Sequence, residues 1–387
     1  MDLDTFFVSV ERKLHPELRK VPLIVGGQGG RGVVAACSYE TRLFGVHSAM
    51  PMRMALQLCP DAKVISGDME AYSKHSHLVT DVIKDAAPAF EKASIDEFYI
   101  DASGLDKFFG AFKWAGELQQ RIVKETGLPI SMGMSVNKTV SKITTGEFKP
   151  RASKNIPPGT ERDFLAPLKI EKMPGIGQQT AVMLHDMGVR DIKTLRDMPR
   201  KFLTSAFGKH GITMWNKANG IDHTPVVQYS EQKSISTEST FQEDTIDTKK
   251  LKSLLIAMVE KVAFQLREEK KLTSCVTVKI RYSNFDTETK QVAIPYSSSD
   301  HILLKVVTEL FDKLYSRRML LRLVGVRLSN LVHGTHQISL FDDTEEDINL
   351  YERIDHIKHR FGSDKIMRAV TLDVSRRVKM NSNLFKG

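Results

Sequence analysis

Apolar and polar positions change rhythm several times along the chain, and each change marks an element. "VPLIVGG" and "GVVAACS" are short apolar runs closed by glycine or a polar turn, which predicts strands. "TFFVSVERKL" starts strand-like and becomes helical, and "MEAYSKHSHLVTDVIKDAA" is a long helical pattern. "FEKASIDEFYIDASG" predicts two strands joined by a tight acidic turn. A helix over "FKWAGELQQRIVKETG" ends at glycine, "PISMGMSV" predicts a strand, and "NKTVSKITTGEF" a helix with Asn137 as N-cap. Strand, helix, hairpin, helix, strand is the order of a ferredoxin-like split βαβ unit. Pro150, Pro157, Pro158 and Pro167 punctuate the exit from it.

From about Leu168 to Gly220 the pattern is almost wholly helical, broken by "MPGIG", "DMGV" and "DMP". "DHTPVVQYSEQKSISTES" is extended and polar, and its first half reads as a linker. Beyond it, "KSISTESTF", "SCVTVKIRYSN", "KQVAIPY" and "LRLVGVRLSNL" predict four strands. Two helices, "TKKLKSLLIAMVEKVAFQLREEK" and "DHILLKVVTELFDKLYSRR", lie between them. The first of these places apolar residues at spacings of three and four, as a core-facing helix does. The chain is therefore α+β and multidomain.

Composition adds three constraints. The 387 residues allow two to four compact units, and 41% hydrophobic with 27% charged content suits a globular protein. Cys37, Cys59 and Cys275 are scattered without metal-ligand spacing, which excludes a disulfide framework or zinc site and predicts a reducing, cytoplasmic setting. No apolar run is long enough to cross a bilayer, and the acidic start is unlike a secretory signal. A net charge of +9 suits a polyanionic partner, although many basic proteins bind none.

The most informative residues are acidic: Asp2 and Asp4 at the start, and Asp96 and Glu97 in the hairpin turn. Alone, either pair reads as solvated charge. Together, "MDLDTFFVSVE" and "SIDEFYID" resemble the two catalytic motifs of Y-family DNA polymerases, of the bacterial DinB (DNA polymerase IV) type. The resemblance covers nearly the whole chain to about Phe341 and implies a right-hand polymerase. Its parts would be a ferredoxin-like palm (1–10 and 72–157), small fingers (11–71) and a helical thumb with a helix-hairpin-helix (158–224). A linker (225–234), an α+β little finger (235–333) and a tail (334–387) would follow.

By the same resemblance, Asp2 and Asp96 would bridge two Mg²⁺ ions, with Mn²⁺ as a substitute. Glu97 would support the metal at the primer 3′-hydroxyl, and the Leu3 carbonyl would add a backbone ligand. Hard carboxylate oxygens suit Mg²⁺, and two such ions roughly 3.5–4 Å apart can stabilise both oxygens of an in-line displacement. Asp4 and Asp101 match no ligand position of the motifs. Phe7 falls where the family places its sugar-discriminating aromatic, while Phe6 reads as core.

Tyr39 and Arg42 match the family's triphosphate-gripping Tyr-x-x-Arg, although Ala36 stands where a threonine is frequent. Lys149, before Pro150, matches the triphosphate-binding lysine, whereas Lys138 and Lys142 read as structural or backbone-contacting. "KMPGIGQQTAVMLHDMG" resembles a helix-hairpin-helix, which nominates Gly175 and Gly177 as DNA-backbone contacts. Residues 235–333 hold 16 Lys/Arg against 12 Asp/Glu. Arg281, Arg322 and Arg327 are the template-strand candidates there. Gln337, Ser339, Leu340 and Phe341 resemble the peptide by which bacterial polymerases dock on the sliding clamp.

The resemblance implies low-fidelity translesion synthesis by a monomer acting on primer-template DNA and deoxynucleoside triphosphates, with no proofreading segment and no membrane association. Family members carry several residues before the first catalytic aspartate, which predicts a native start upstream of Met1. Two rivals stay open. A non-catalytic polymerase-like factor would lose the carboxylates; a palm-type nucleotidyl cyclase would not need the helix-hairpin-helix or the clamp peptide.

Overall fold

Thr5 decides how the chain begins. Its left-handed φ of 43° stops strand β1 (Asp2–Leu3), and helix α1 (Phe6–Leu14) starts at the next residue. The strand expected over "TFFV" is therefore helix instead. The Ser9 amide donates to the Thr5 carbonyl and the Ser9 hydroxyl to the Asp4 carbonyl, closing the first turn. The computed structural model describes residues 1–105, 110–228, 231–334, 344–363 and 365–372, which divide at residue 230 into two compact units.

In the first unit, β2 (Leu23–Gly26), β3 (Val34–Cys37), α2 (Tyr39–Arg42), α3 (Met52–Leu58) and β4 (Lys63–Ile65) follow α1. Their small sheet has the order β3-β2-β4, over a core including Ile24, Val34, Val46 and Met52. Ser38 fixes the start of α2: its hydroxyl accepts from the Leu23 and Thr41 amides. Tyr39 is thereby held in the first turn.

The chain continues through α4 (Met69–Ala86), β5 (Phe90–Lys92), β6 (Phe98–Ile100), α5 (Ala111–Thr126), β7 (Ile130–Met134), α6 (Lys138–Phe148) and β8 (Ser153–Asn155). Helix α4 is capped by Asp68, which accepts from the Glu70 and Ala71 amides, and it buries Tyr72, Val79 and Ile83. Helix α5 stops at Gly127, whose φ of 70° suits glycine. Asn137 caps α6 by accepting from the Val140 amide. Antiparallel β1-β7 and β5-β6 meet at the Asp2–Glu97 bridge, giving β5-β6-β1-β7, with β8 added parallel to β7. Leu3, Phe98, Ile130 and Ile122 pack beneath it. Each fully buried side chain of this size contributes about 1.5–3 kcal/mol.

Five further helices complete the unit: α7 (Glu161–Leu165), α8 (Gln178–Asp186), α9 (Ile192–Asp197), α10 (Arg200–Phe207) and α11 (Lys209–Ala218), around Leu165, Leu184, Leu195 and Leu203. Residues 221–227 have no helix or strand, yet they are pinned down. Asp222 accepts from the Thr139 hydroxyl, and Glu91 accepts from the Val227 amide and the Lys138 ammonium.

The second unit contains β9 (Ser234–Thr245), α12 (Thr248–Glu268), β10 (Lys271–Tyr282), β11 (Thr287–Ser297), α13 (Asp300–Leu314), β12 (Leu321–His333) and α14 (Thr344–Phe361). The antiparallel sheet runs β11-β10-β12-β9. Val276, Val278, Ile280, Val324 and Val326 turn toward α12 and α13. Helix α13 ends four residues short of the expected Arg318, because the chain turns where the Tyr315 hydroxyl bonds the Met319 carbonyl. Helix α14 docks on the helical face: Arg267 of α12 forks onto Asp355 and also bonds Asp300.

Candidate active site

Ser94 shapes the acidic turn. Its hydroxyl accepts from the Asp96 and Glu97 amides, at 3.3 and 3.1 Å, and lies 2.7 Å from Asp96 Oδ1 as donor. From behind, the Ser76 hydroxyl of α4 donates to the Ile95 carbonyl. One small hydroxyl thus folds the turn and aims the carboxylate, which accounts for serine two residues before Asp96.

Strand β1 lies between this turn and β7. The Leu3 amide donates to the Asp96 carbonyl, the Phe98 amide to the Met1 carbonyl, and the Met1 amine to the Phe98 carbonyl. Asp2 faces Glu97 across an antiparallel bridge and Ser131 on its other side. Residues opposed in this way have Cα atoms about 4.5–5.5 Å apart and side chains on one face. Residues 95 positions apart in sequence thus bring their carboxylates to one edge.

Two lysines answer that negative charge. Lys149, at the end of α6, places Nζ 2.5 Å from Asp2 Oδ1 and 3.3 Å from the Leu3 carbonyl. Lys142 reaches Glu97 at 2.5 Å. Burial raises the Asp2 pKa; Lys149 opposes this, and the charges of Asp96 and Glu97 reinforce it. Among the described residues, no three acidic, imidazole or thiol side chains converge into a metal cage. Asp2 and Glu97 each turn to a lysine and Asp96 to Ser94. The donor set nevertheless fits Mg²⁺ in kind, since Asp2, Asp96, Glu97 and the Leu3 carbonyl are hard oxygens. The Lys149 ammonium against Asp2 and the Leu3 carbonyl marks a place where a cation is favoured.

Comparison with known proteins gives the family of the chain. Residues 1–146 match the impB/mucB/samB family, and residues 232–340 match that family's C-terminal domain. The DNA polymerase IV of Dehalococcoides mccartyi strain BAV1 is 36% identical over 375 residues, 96% of each chain. That of Streptococcus pyogenes serotype M1 is 35% identical over 348 residues, 88% of this chain and 95% of the relative. Among solved structures, a Y-family DNA polymerase chimera superposes with a TM-score of 0.75 at 26% identity. An insertion ternary complex of Dbh DNA polymerase does so at 0.62 and 25%; in both cases 86% of this chain and 98% of the other are covered. The chain belongs to the impB/mucB/samB family, among the Y-family DNA polymerases.

Of the other residues nominated for the family's chemistry, Phe7, Tyr39, Arg42, Gly175 and Gly177 belong to the first unit, with the carboxylates, and the three arginines to the second. Phe6 is buried, while Phe7 is half-buried and stacks on Tyr72. The Tyr39 hydroxyl is buried, and burial, followed by the charge of Asp4, pushes its pKa up to about 12. The Arg42 guanidinium lies 5.4 Å from the Tyr39 ring centroid. Gly175 takes φ 100°, and Gly177 is the N-cap of α8. In the second unit, Arg281 and Arg327 alternate with core residues of β10 and β12, so they lie on the sheet face opposite the helices. The Arg322 guanidinium lies over the Phe285 ring. Gln337, Ser339, Leu340 and Phe341 lie outside the described residues.

Three contributors carried no sequence signal. Lys142 reads as ordinary helix-face charge, yet it is the cation on Glu97. Tyr72 is one apolar position among many in α4, and Asp4 matches no ligand position. Their roles depend on contacts 45 to 147 positions away in sequence.

Proposed function

We infer that this chain is a template-directed DNA polymerase of low fidelity that extends primers past damaged template and has no proofreading activity. The observation that carries the reading is the Asp2–Glu97 bridge, which sets two motif carboxylates on one edge with Asp96 beside them. Residues 1–10 and 72–157 form the palm, 11–71 the fingers and 158–224 the thumb. Residues 225–234 form the linker, and 235–333 the little finger.

Asp2, the Leu3 carbonyl, Asp96 and Glu97 would hold two Mg²⁺ ions, with Mn²⁺ able to replace them. When bound, the ions supply charge stabilisation for the primer 3′-hydroxyl and the departing pyrophosphate. Lys149 would then leave Asp2 for the triphosphate, joined by Arg42 and by the Tyr39 hydroxyl as a donor. Phe7, rigid against Tyr72, excludes a ribose 2′-hydroxyl. The Gly175 and Gly177 amides at the start of α8 take a DNA phosphate. Arg281, Arg322 and Arg327 contact the template strand without reading bases, as bypass of altered bases requires. Gln337, Ser339, Leu340 and Phe341 dock on the sliding clamp, and the polymerase acts as a monomer.

Primer extension with Mg²⁺ on plain and lesion-bearing templates tests the reading. Asp96→Ala and Glu97→Ala should each lower extension by about 10²–10³-fold or more, the scale for losing one stabilising group at a reacting centre. Wild-type extension by either variant would overturn the site assignment.

A further inference from the structure

Asp4 is the one carboxylate at this edge that the proposed chemistry leaves without a task. It is 1% exposed, which a charged group tolerates only when its bonds are made. Oδ1 accepts from the Ser131 hydroxyl at 2.8 Å, and Oδ2 accepts from the Arg151 amide at 2.7 Å. The Ser131 oxygen in turn accepts from the Ala152 amide at 3.1 Å. Asp4 and Ser131 thus satisfy two consecutive amides immediately after Lys149 and Pro150.

Arg151 has φ 51°, a conformation that a non-glycine residue keeps only when its surroundings hold it. The surroundings here are this carboxylate. On the same side, Asp4 Oδ1 lies 4.0 Å from Lys149 Nζ, outside direct bonding but inside strong attraction. Asp4 is also the foremost charged neighbour acting on the Tyr39 hydroxyl. One buried carboxylate therefore holds the turn that follows Lys149, lies 4.0 Å from the Lys149 ammonium and acts on Tyr39.

We propose that Asp4 is a positioning residue that sets affinity for the incoming deoxynucleoside triphosphate by holding the turn after α6, and with it Lys149, beside Tyr39. The inference rests on the assignment of Lys149 and Tyr39 to the triphosphate. Asp4 needs no contact with metal or substrate: it is buried, its oxygens are occupied by Ser131 and Arg151, and its reach is through the backbone. Asparagine at this position keeps the size of the side chain but has one acceptor oxygen, so its amide nitrogen would meet either the Arg151 amide or the Ser131 hydroxyl.

The test is a titration of dCTP opposite a template guanine on a dideoxy-terminated primer, read by fluorescence in Ca²⁺, together with kcat and KM for single insertions in Mg²⁺. Asp4→Asn should raise the dCTP Kd and KM about tenfold, the scale of one charge-assisted hydrogen bond, with a smaller change in kcat and unchanged primer-template affinity. In a Lys149→Ala background it should add less than about twofold, because the two residues act as one unit. Ser131→Ala, which keeps the carboxylate, should raise the Kd about threefold, and it carries the test if Asp4→Asn fails to fold. If Lys149→Ala weakens dCTP binding while Asp4→Asn and Ser131→Ala do not, the proposal is overturned and the triphosphate assignment stands. Unchanged binding in Lys149→Ala overturns both.

Discussion

Tyr72 lies flat against Phe7, with ring centroids 4.2 Å apart and planes 11° from parallel, and its hydroxyl donates to Glu11 at 2.5 Å. Burial and that carboxylate hold the phenol far above its ordinary pKa, so it stays a donor across the working pH range. The ring proposed to meet the sugar is thus braced by a second ring, itself anchored by a buried carboxylate. Tyr72→Leu should leave Phe7 free to tilt and lower discrimination against ribonucleotides by about five- to tenfold, the worth of one aromatic pair. Competitive insertion of dCTP and CTP measures it. Unchanged discrimination in Tyr72→Leu, alongside a loss in Phe7→Ala, would show that the brace is dispensable.

Lys142 is paired with Glu97, so if Glu97 holds Mg²⁺ as proposed, the lysine competes with the ion for it. Removing it as Lys142→Ala should lower the Mg²⁺ concentration for half-maximal extension by about two- to fivefold, as expected for a part-exposed ion pair. The same variant should melt slightly earlier without metal, because Glu97 loses its neutralising partner. A rise in half-saturating Mg²⁺ would refute competition and point to a supporting role.

Acid should loosen the segment at 221–227. For Glu91, burial alone would raise the carboxyl pKa, but Lys138 and the Val227 amide outweigh it and hold it below the ordinary 4.5. For Asp222, burial is likewise outweighed, here by Thr139 and Thr224. Folded-state values below the unfolded ones mean that this stabilisation is complete above the ordinary carboxylate range and is lost as pH falls through the depressed values. Hydrogen exchange should therefore show these residues protected at pH 7 and opening below about pH 4. Glu91→Gln should open them already at neutral pH. Equal protection at both pH values would count against the two anchors.

Arg267 holds α14. Its guanidinium is mostly buried between Asp300 and Asp355, so Arg267→Met strands Asp355, leaves Asp300 to Arg368 at 3.4 Å, and should cost about 3–5 kcal/mol. Thermal melting and limited proteolysis within 344–361 measure it. A helix equally resistant to protease in the variant would mean that the Tyr351 hydroxyl, which accepts from the His301 amide, suffices to dock it.

Much of this was legible because periodicity is local. The apolar runs of β2 and β3, the helical repeat of α12 and the Asn137 cap were readable without tertiary information. The acidic motifs at Asp2, Asp96 and Glu97 were legible because two short segments together match the family's pattern. Thr5 was not: threonine favours strands, and nothing in the neighbouring residues marks the left-handed φ of 43° that ends β1. The lysine partners and the Asp4 contacts were also hidden, since they join residues separated by 45 to 147 positions. Spacing along a chain carries no trace of such pairs.

Every strand ladder of the second sheet closes among residues after 231, and β9, the first strand past the junction, runs along its rim. A cut near residue 230 therefore severs no strand pairing. A C-terminal unit taken from a relative would bring its ladders whole, and the pairing of Asp2 with Glu97 would be left as it is.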